Sequence, residues 1–231
     1  MALADLHQTL PLDAPVELSF VGGDGEGDGL STWTAERVHD VIVGAGFALD
    51  ELDPRSTAGG VSFTVRARRA RTLPDTVGPG MRLLVCGLNP SLRAADAGVG
   101  FVTPGNRFWP AALAAGLVTR DRDPRHALLA HGVGMTDLVK RATPRAAELT
   151  RDEYRDGMGR LERLCAWLQP AAVCFVGLAG WRAAVDRRAT PGPQEQRLGG
   201  RPVHLMPSTS GLNAATSLAV LTEHLAAARC T

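Results

Sequence analysis

From Met81 onward the apolar positions gather into short unbroken runs, MRLLVCG (81–87), AVCFVG (172–177) and RPVHLMP (201–207). Runs of this length, each closed by glycine or proline, suit strands buried on both faces. The stretches between them carry helical spacing instead: NRFWPAALAAGL, PRHALLAHG, TRDEYRDGMGRLERLCAWL, GLAGWRAAVDRR and SLAVLTEHLAAAR. In the third of these, Thr150 and Glu153 form a capping-box pattern. Strand–helix alternation predicts an α/β fold, a three-layer α/β/α sandwich on a mainly parallel central sheet. Ligands in such folds gather beyond the carboxyl ends of the strands.

Residues 1–72 have a different pattern and are expected to form a small N-terminal α+β appendage to a main domain spanning 73–231. TAERVHDVIVGAGF reads as a helix with Thr34 as N-cap; Arg37 three positions on leaves it without a capping box. VSFTVRARR alternates inward apolar and outward polar residues, as a half-buried strand does. VGGDGEGDGL reads as a flexible loop and RTLPDTVGPG as a linker, placing the boundary near Thr72–Gly80. Of Arg66, Arg68, Arg69 and Arg71, alternate members share one strand face. That face belongs either to a solvated edge strand or to a surface that meets DNA.

Composition narrows the classes. The chain has 231 residues, a formal net charge of +1 and 45% hydrophobic residues, an ordinary globular balance without the strong basicity of histone-like binders. No apolar run nears the ~20 residues that span a bilayer. The N-terminus MALADLHQTLPLDAP lacks a basic segment followed by an apolar one. A cytosolic, membrane-free monomer is expected. The cysteines, Cys86, Cys165, Cys174 and Cys230, form no C-x-x-C pair, and Cys86 and Cys174 sit inside apolar runs. Buried thiols are expected, with no metal, iron–sulfur cluster or other cofactor.

Three small-residue loops carry candidate chemistry. In Gly87-Leu88-Asn89-Pro90-Ser91, glycine lets the backbone approach a ligand and Asn89 offers an amide that donates and accepts; a plain strand-ending turn fits equally. In Gly100-Phe101-Val102-Thr103-Pro104-Gly105-Asn106-Arg107-Phe108-Trp109, Phe108 and Trp109 read as core of the next helix. Phe101, bracketed by Gly98, Gly100 and a turn, is poised instead to stack on a nucleobase. Met206-Pro207-Ser208-Thr209-Ser210-Gly211-Leu212-Asn213 suits phosphate contacts with an apolar tip, or simply caps the last helix.

Taken together, GLNPS, FVTPGNRFW, DLVKRAT (Asp137–Thr143) and MPSTSGL resemble, in order and spacing, the bacterial mismatch-specific uracil-DNA glycosylases and the related thymine-DNA glycosylases. The likeness runs from about Asp75 to the last helix. It implies a parallel α/β/α sandwich, agreeing with the periodicity. It further implies that Asn89 places the attacking water and that Phe101 stacks on a flipped base. Backbone N–H groups near Leu88 and Phe101, with Asn106, would hold the base's polar edge. The loop Ser208, Thr209, Ser210, Gly211, Leu212, Asn213 would pinch the DNA backbone, with Leu212 filling the vacated stack. Ser208-Thr209 stands where bacterial members have Asn-Pro, and Ala214 where they have arginine, so the loop is closer to the thymine-DNA glycosylase version. The N-terminal tract faintly resembles the tail of a class I methyltransferase; without a glycine-rich cofactor loop, no methyl transfer is expected.

The resemblance implies a monofunctional enzyme acting on duplex DNA with G·U or related mismatches. Asp96, seven residues after Asn89, is a candidate for orienting or deprotonating water, or a solvated loop carboxylate. Lys140, the chain's single lysine, is expected to meet phosphate or cap structure rather than form a Schiff base. The rival expectation is a non-catalytic lesion-binding protein on the same fold. A hydrolase or transferase of small molecules would need G-x-S-x-G or a phosphate-binding G-x-x-x-x-G-K-[ST], and neither occurs.

Overall fold

The computed structural model describes residues 2–21, 33–57 and 60–229. Cys230 and, beyond Val21, the glycine-dense stretch lie outside them. The N-terminal part comprises α1 (Ala2–Thr9), β1 (Pro15–Val21), α2 (Ala35–Gly44), β2 (Phe47–Thr57) and β3 (Gly60–Arg69). Thr34 caps α2 by accepting from the Arg37 amide. The strands form an antiparallel sheet in the order β1-β3-β2. Its inner face packs Phe20, Phe63, Val65 and Ala67 on Val38 and Ile42 of α2.

The edge-strand expectation for the arginines is corrected, because β3 is the central strand. Its outward arginines are matched by carboxylates on both neighbours. Arg66 lies opposite Glu17 and Glu51 in register and pairs with them at 3.3 and 2.5 Å. Arg68 pairs with Asp50 at 2.7 Å. Cross-strand opposite charges favour this register, and they leave no unopposed basic face for DNA here.

The remainder comprises β4 (Leu83–Gly87), α3 (Leu92–Ala97), α4 (Phe108–Ala114), α5 (Pro124–His131), β5 (Val133–Asp137), α6 (Arg151–Leu168), β6 (Val173–Val176), α7 (Ala179–Ala184), β7 (Gly192–Leu198), β8 (Arg201–Met206) and α8 (Leu218–Ala228). The sheet order is β5-β4-β6-β8-β7, all parallel except β7. Every residue of β4, β5 and β6 is buried. Along β4, Leu83 and Val85 join a cluster with Phe108, Trp109, Leu221 and Leu225, whereas Leu84 and Cys86 join Leu161, Leu164, Phe175 and Trp181 on the other face. Helices therefore cover both faces, giving the three-layer α/β sandwich with a mainly parallel sheet. The capping box of α6 forms between Thr150 and Glu153. Cys86, Cys165 and Cys174 are buried free thiols, with burial pushing Cys165 and Cys174 up to about 12. No helix among the described residues is long and apolar enough to cross a membrane.

The two sheets are joined by a buried ion cluster. The Asp75 carboxylate accepts from Lys140 Nζ (2.7 Å), Thr136 Oγ1 (2.7 Å) and Arg160 Nη1 (2.8 Å), while its amide donates to Gly44 O at the end of α2 (2.7 Å). Burial alone would raise the Asp75 pKa; Arg160 and Lys140 more than offset it and hold the carboxyl below its ordinary range. Arg163 of α6 forks onto Asp40 of α2 at 2.7 and 2.9 Å, and Arg125 of α5 pairs with Asp5 of α1 at 3.2 Å.

Candidate active site

The parallel strands end together at Gly87, Asp137, Val176 and Met206, and the loops that follow enclose a pocket of about 160 Å³. That is below the roughly 300–1,000 Å³ of drug-sized ligand sites, on the scale of a single small ring system. Leu88, Asn89, Phe101, Asn106, Ser208, Thr209 and Ser210 all line it.

At the floor lies Gly87. A β-carbon there would stand 2.3 Å from Asp137 Oδ1 and 3.5 Å from Phe101 Cζ, so only glycine admits both groups. Phe101 has a left-handed backbone (φ 60°), a conformation costing an aromatic residue ~1–3 kcal/mol. It is held by stacking on Phe108 with centroids 4.2 Å apart at 23°. Trp109 Nε1 fixes the preceding turn by donating to Gly100 O at 2.9 Å. Phe108 and Trp109 themselves are core, 0% and 1% exposed.

Asn89 is oriented by the segment after β5. Its side-chain NH2 donates to Thr143 Oγ1 (2.8 Å) and Arg141 O (3.0 Å), and approaches Pro90 O at 3.2 Å. With the donors engaged, the carbonyl oxygen is what the amide has left to offer a water. Backbone bonds Leu138 N to Gly87 O and Val139 N to Leu88 O, both 2.9 Å, zip the two loops together. The N–H groups of Leu88 and Phe101 find no acceptor among the described residues, which leaves two donors for a ligand's polar edge. Asn106 spends its oxygen on the Phe108 amide (2.9 Å) at the start of α4, and so offers its NH2.

The loop after β8 is braced rather than loose. Arg107 donates from its amide to Thr209 O (2.9 Å) and from its guanidinium to Asn213 O (2.5 Å) and Thr216 O. Asn213 Nδ2 closes the loop onto Ser208 O at 2.8 Å. Leu212 stands at its tip, 97% exposed, well before α8 begins. Thr209 is buried, so as a DNA-contacting side chain it is corrected; Ser208, Ser210 and Asn213 are half-buried, Asn213 with its NH2 spent on loop closure, and Gly211 and Leu212 form the exposed part.

For two further candidates the structure matches the structural alternative and not the catalytic or DNA-contacting one. Asp96 lies on α3, not in a loop, is absent from the pocket lining, and forks onto Arg71 at 2.6 and 2.8 Å in an exposed ion pair that holds its carboxyl below the ordinary range. Lys140 is inside the Asp75 cluster, its side chain 9% exposed, where it cannot meet phosphate.

The residue not singled out from sequence is Asp137. It ends β5 directly opposite Gly87 in register, lines the pocket, and its carboxylate has no hydrogen-bond partner among the described residues. Burial is the main cause raising its pKa to about 6; Asp75 adds to the rise, while Lys140 and Arg160 oppose it. The available signal was a carboxylate that both ends a strand-length segment, GVGMTD, and opens the motif DLVKRAT.

The family model described as the uracil DNA glycosylase superfamily matches residues 74–228. Among solved structures, the solution NMR structure of a candidate uracil DNA glycosylase from Methanosarcina acetivorans is similar at 21% identity, covering 69% of this chain and 96% of that chain, with a TM-score of 0.49.

Proposed function

Because the chain belongs to the uracil DNA glycosylase superfamily, we propose that it is a monofunctional glycosylase that flips uracil, or a related deaminated base, out of a G·U or similar mismatched duplex and hydrolyses its N-glycosidic bond. The observation that carries this reading is the convergence of Asn89, Asp137 and Phe101 on one small pocket beside the exposed Leu212.

Base departure builds positive charge on the sugar and negative charge on the base. The Leu88 and Phe101 N–H groups and the Asn106 NH2 are donors preorganised for the base's oxygens, the kind of arrangement that stabilises a leaving anion. The Phe101 ring stacks on the base, worth ~1–3 kcal/mol. Asn89 Oδ1 holds a water for attack on the sugar carbon. As the new C–O bond forms, the C–N bond gives its electron pair to the base and the Asp137 carboxylate takes the water's proton. The products are the free base and an abasic site. With the sole lysine amine buried against Asp75, no lysine Schiff base forms and the strand stays intact. Flipping costs a few kcal/mol, least at a mismatch, which favours G·U over normal pairs.

The test is incubation with end-labelled duplexes bearing G·U, G·T, A·U or G·hypoxanthine, followed by alkali. Alkali-dependent cleavage at the lesion, strongest for G·U, is expected. Tight binding to the mismatch without any abasic product would replace the reading with a lesion-binding protein.

A further inference from the structure

One wall of the pocket comes from the very start of the sandwich domain. Leu73 and Pro74, just after the N-terminal sheet, line the cavity; the matched family region begins at Pro74. The backbone there is fixed from both sides. Lys140 Nζ donates to Leu73 O, Thr72 Oγ1 donates to Lys140 O, and Asp75 N donates to Gly44 O at 2.7 Å. Thr72 is 3% exposed. The Leu73 side chain packs against the loop bearing the stacking ring: a β-carbon on Gly100 would lie 3.3 Å from Leu73 Cδ2. Gly100 in turn is pinned by Trp109. Neither side of this contact can yield cheaply in a close-packed region.

We propose that Leu73 is a specificity-determining residue, setting the size of the base the pocket admits. The inference rests on the glycosylase reading above. A leucine clamped at its backbone acts as a fixed stop: pyrimidines fit beneath it, and the two-ring deaminated purine hypoxanthine meets it. Removing methyl groups opens the wall, and enlarging the side chain closes it further.

The experiment uses the full chain with Leu73→Ala and Leu73→Phe, measuring single-turnover excision of uracil and of hypoxanthine opposite the same partner base, alongside melting temperature. Leu73→Ala is expected to raise the hypoxanthine-to-uracil rate ratio at least tenfold; Leu73→Phe lowers the ratio. Duplexes carrying the non-hydrolysable 2′-fluoro nucleotides report the same selection through affinity. Ratios in both variants within twofold of the parent, by rate and by affinity, would overturn the inference. Excision of neither base with size-dependent affinity intact would instead overturn the glycosylase reading and leave this one standing.

Discussion

Asp137 Oδ1 occupies the space that a side chain on Gly87 would need, 2.3 Å from the missing β-carbon. Gly87→Ala therefore has to displace the carboxylate, since the strand backbone on either side is locked in the parallel ladder. Excision is expected to fall by about two orders of magnitude or more, with circular dichroism and DNA binding largely retained. Undiminished excision would mean that the Asp137 position is irrelevant to the chemistry.

Asp137→Asn should remove the pH dependence of the reaction. With a pKa of about 6, ionisation of Asp137 predicts single-turnover rates rising tenfold per pH unit below 6 and levelling above it. The Asn variant should be slower by roughly 10²–10⁴ and flat with pH. The same shift has a stability sign. A carboxyl whose pKa is raised from 3.8 on folding favours the native state at low pH, and that contribution is lost as pH climbs from about 4 through about 6. The Asn variant should match the parent at pH 3.5 and exceed it at pH 8 by on the order of 3 kcal/mol, at ~1.4 kcal/mol per pH unit, as read from denaturant titrations.

Asn89→Ala removes the oxygen proposed to hold the water. Excision should drop by about two orders of magnitude while mismatch affinity changes little. Near-normal excision would remove Asn89 from the mechanism.

Leu212→Ala tests the loop tip. Being 97% exposed, the side chain contributes nothing to the core, so the melting temperature should not move. Affinity for mismatched duplex is expected to fall on the order of tenfold, with excision from single-stranded DNA unaffected. Equal losses on both substrates would exclude a wedge.

Asp96→Asn is the contrasting control. It breaks an exposed ion pair with Arg71 away from the pocket, so the rate and its pH profile should match the parent. A loss comparable to that of Asn89→Ala would reinstate Asp96 as a catalytic group.

The strands β4, β6 and β8 were legible because burial on both faces forces unbroken apolar runs. β5 was not, since GVGMTD breaks its run with Gly134, which makes room for Met81 Sδ, and with Thr136 and Asp137. The polar edge strand β7 and the N-terminal β1 and β2 lacked a distinctive period and depend on partners distant in sequence. Asn89, Phe101 and Leu212 could be located because glycine- and proline-marked loops announce themselves. Asp137 could not, because its pKa is set by burial and by Asp75, Lys140 and Arg160, contributed by separate parts of the chain. The same distance left the readings of Lys140 and Asp96 open: their charge is visible in the sequence, but Asp75 and Arg71 as partners are not.

Arg107, by gripping Thr209, Asn213 and Thr216 from the start of α4, leaves the Leu212 tip little to lose on meeting DNA. A loop shaped in advance gives up little conformational entropy on insertion. The free energy that separates one duplex from another then resides chiefly in the nucleic acid, in how readily each pair unstacks and opens. Ranked by excision rate, duplexes with a fixed target base should follow their own opening equilibria; on the proposed function, helix weakness would then be read through a surface that hardly changes shape.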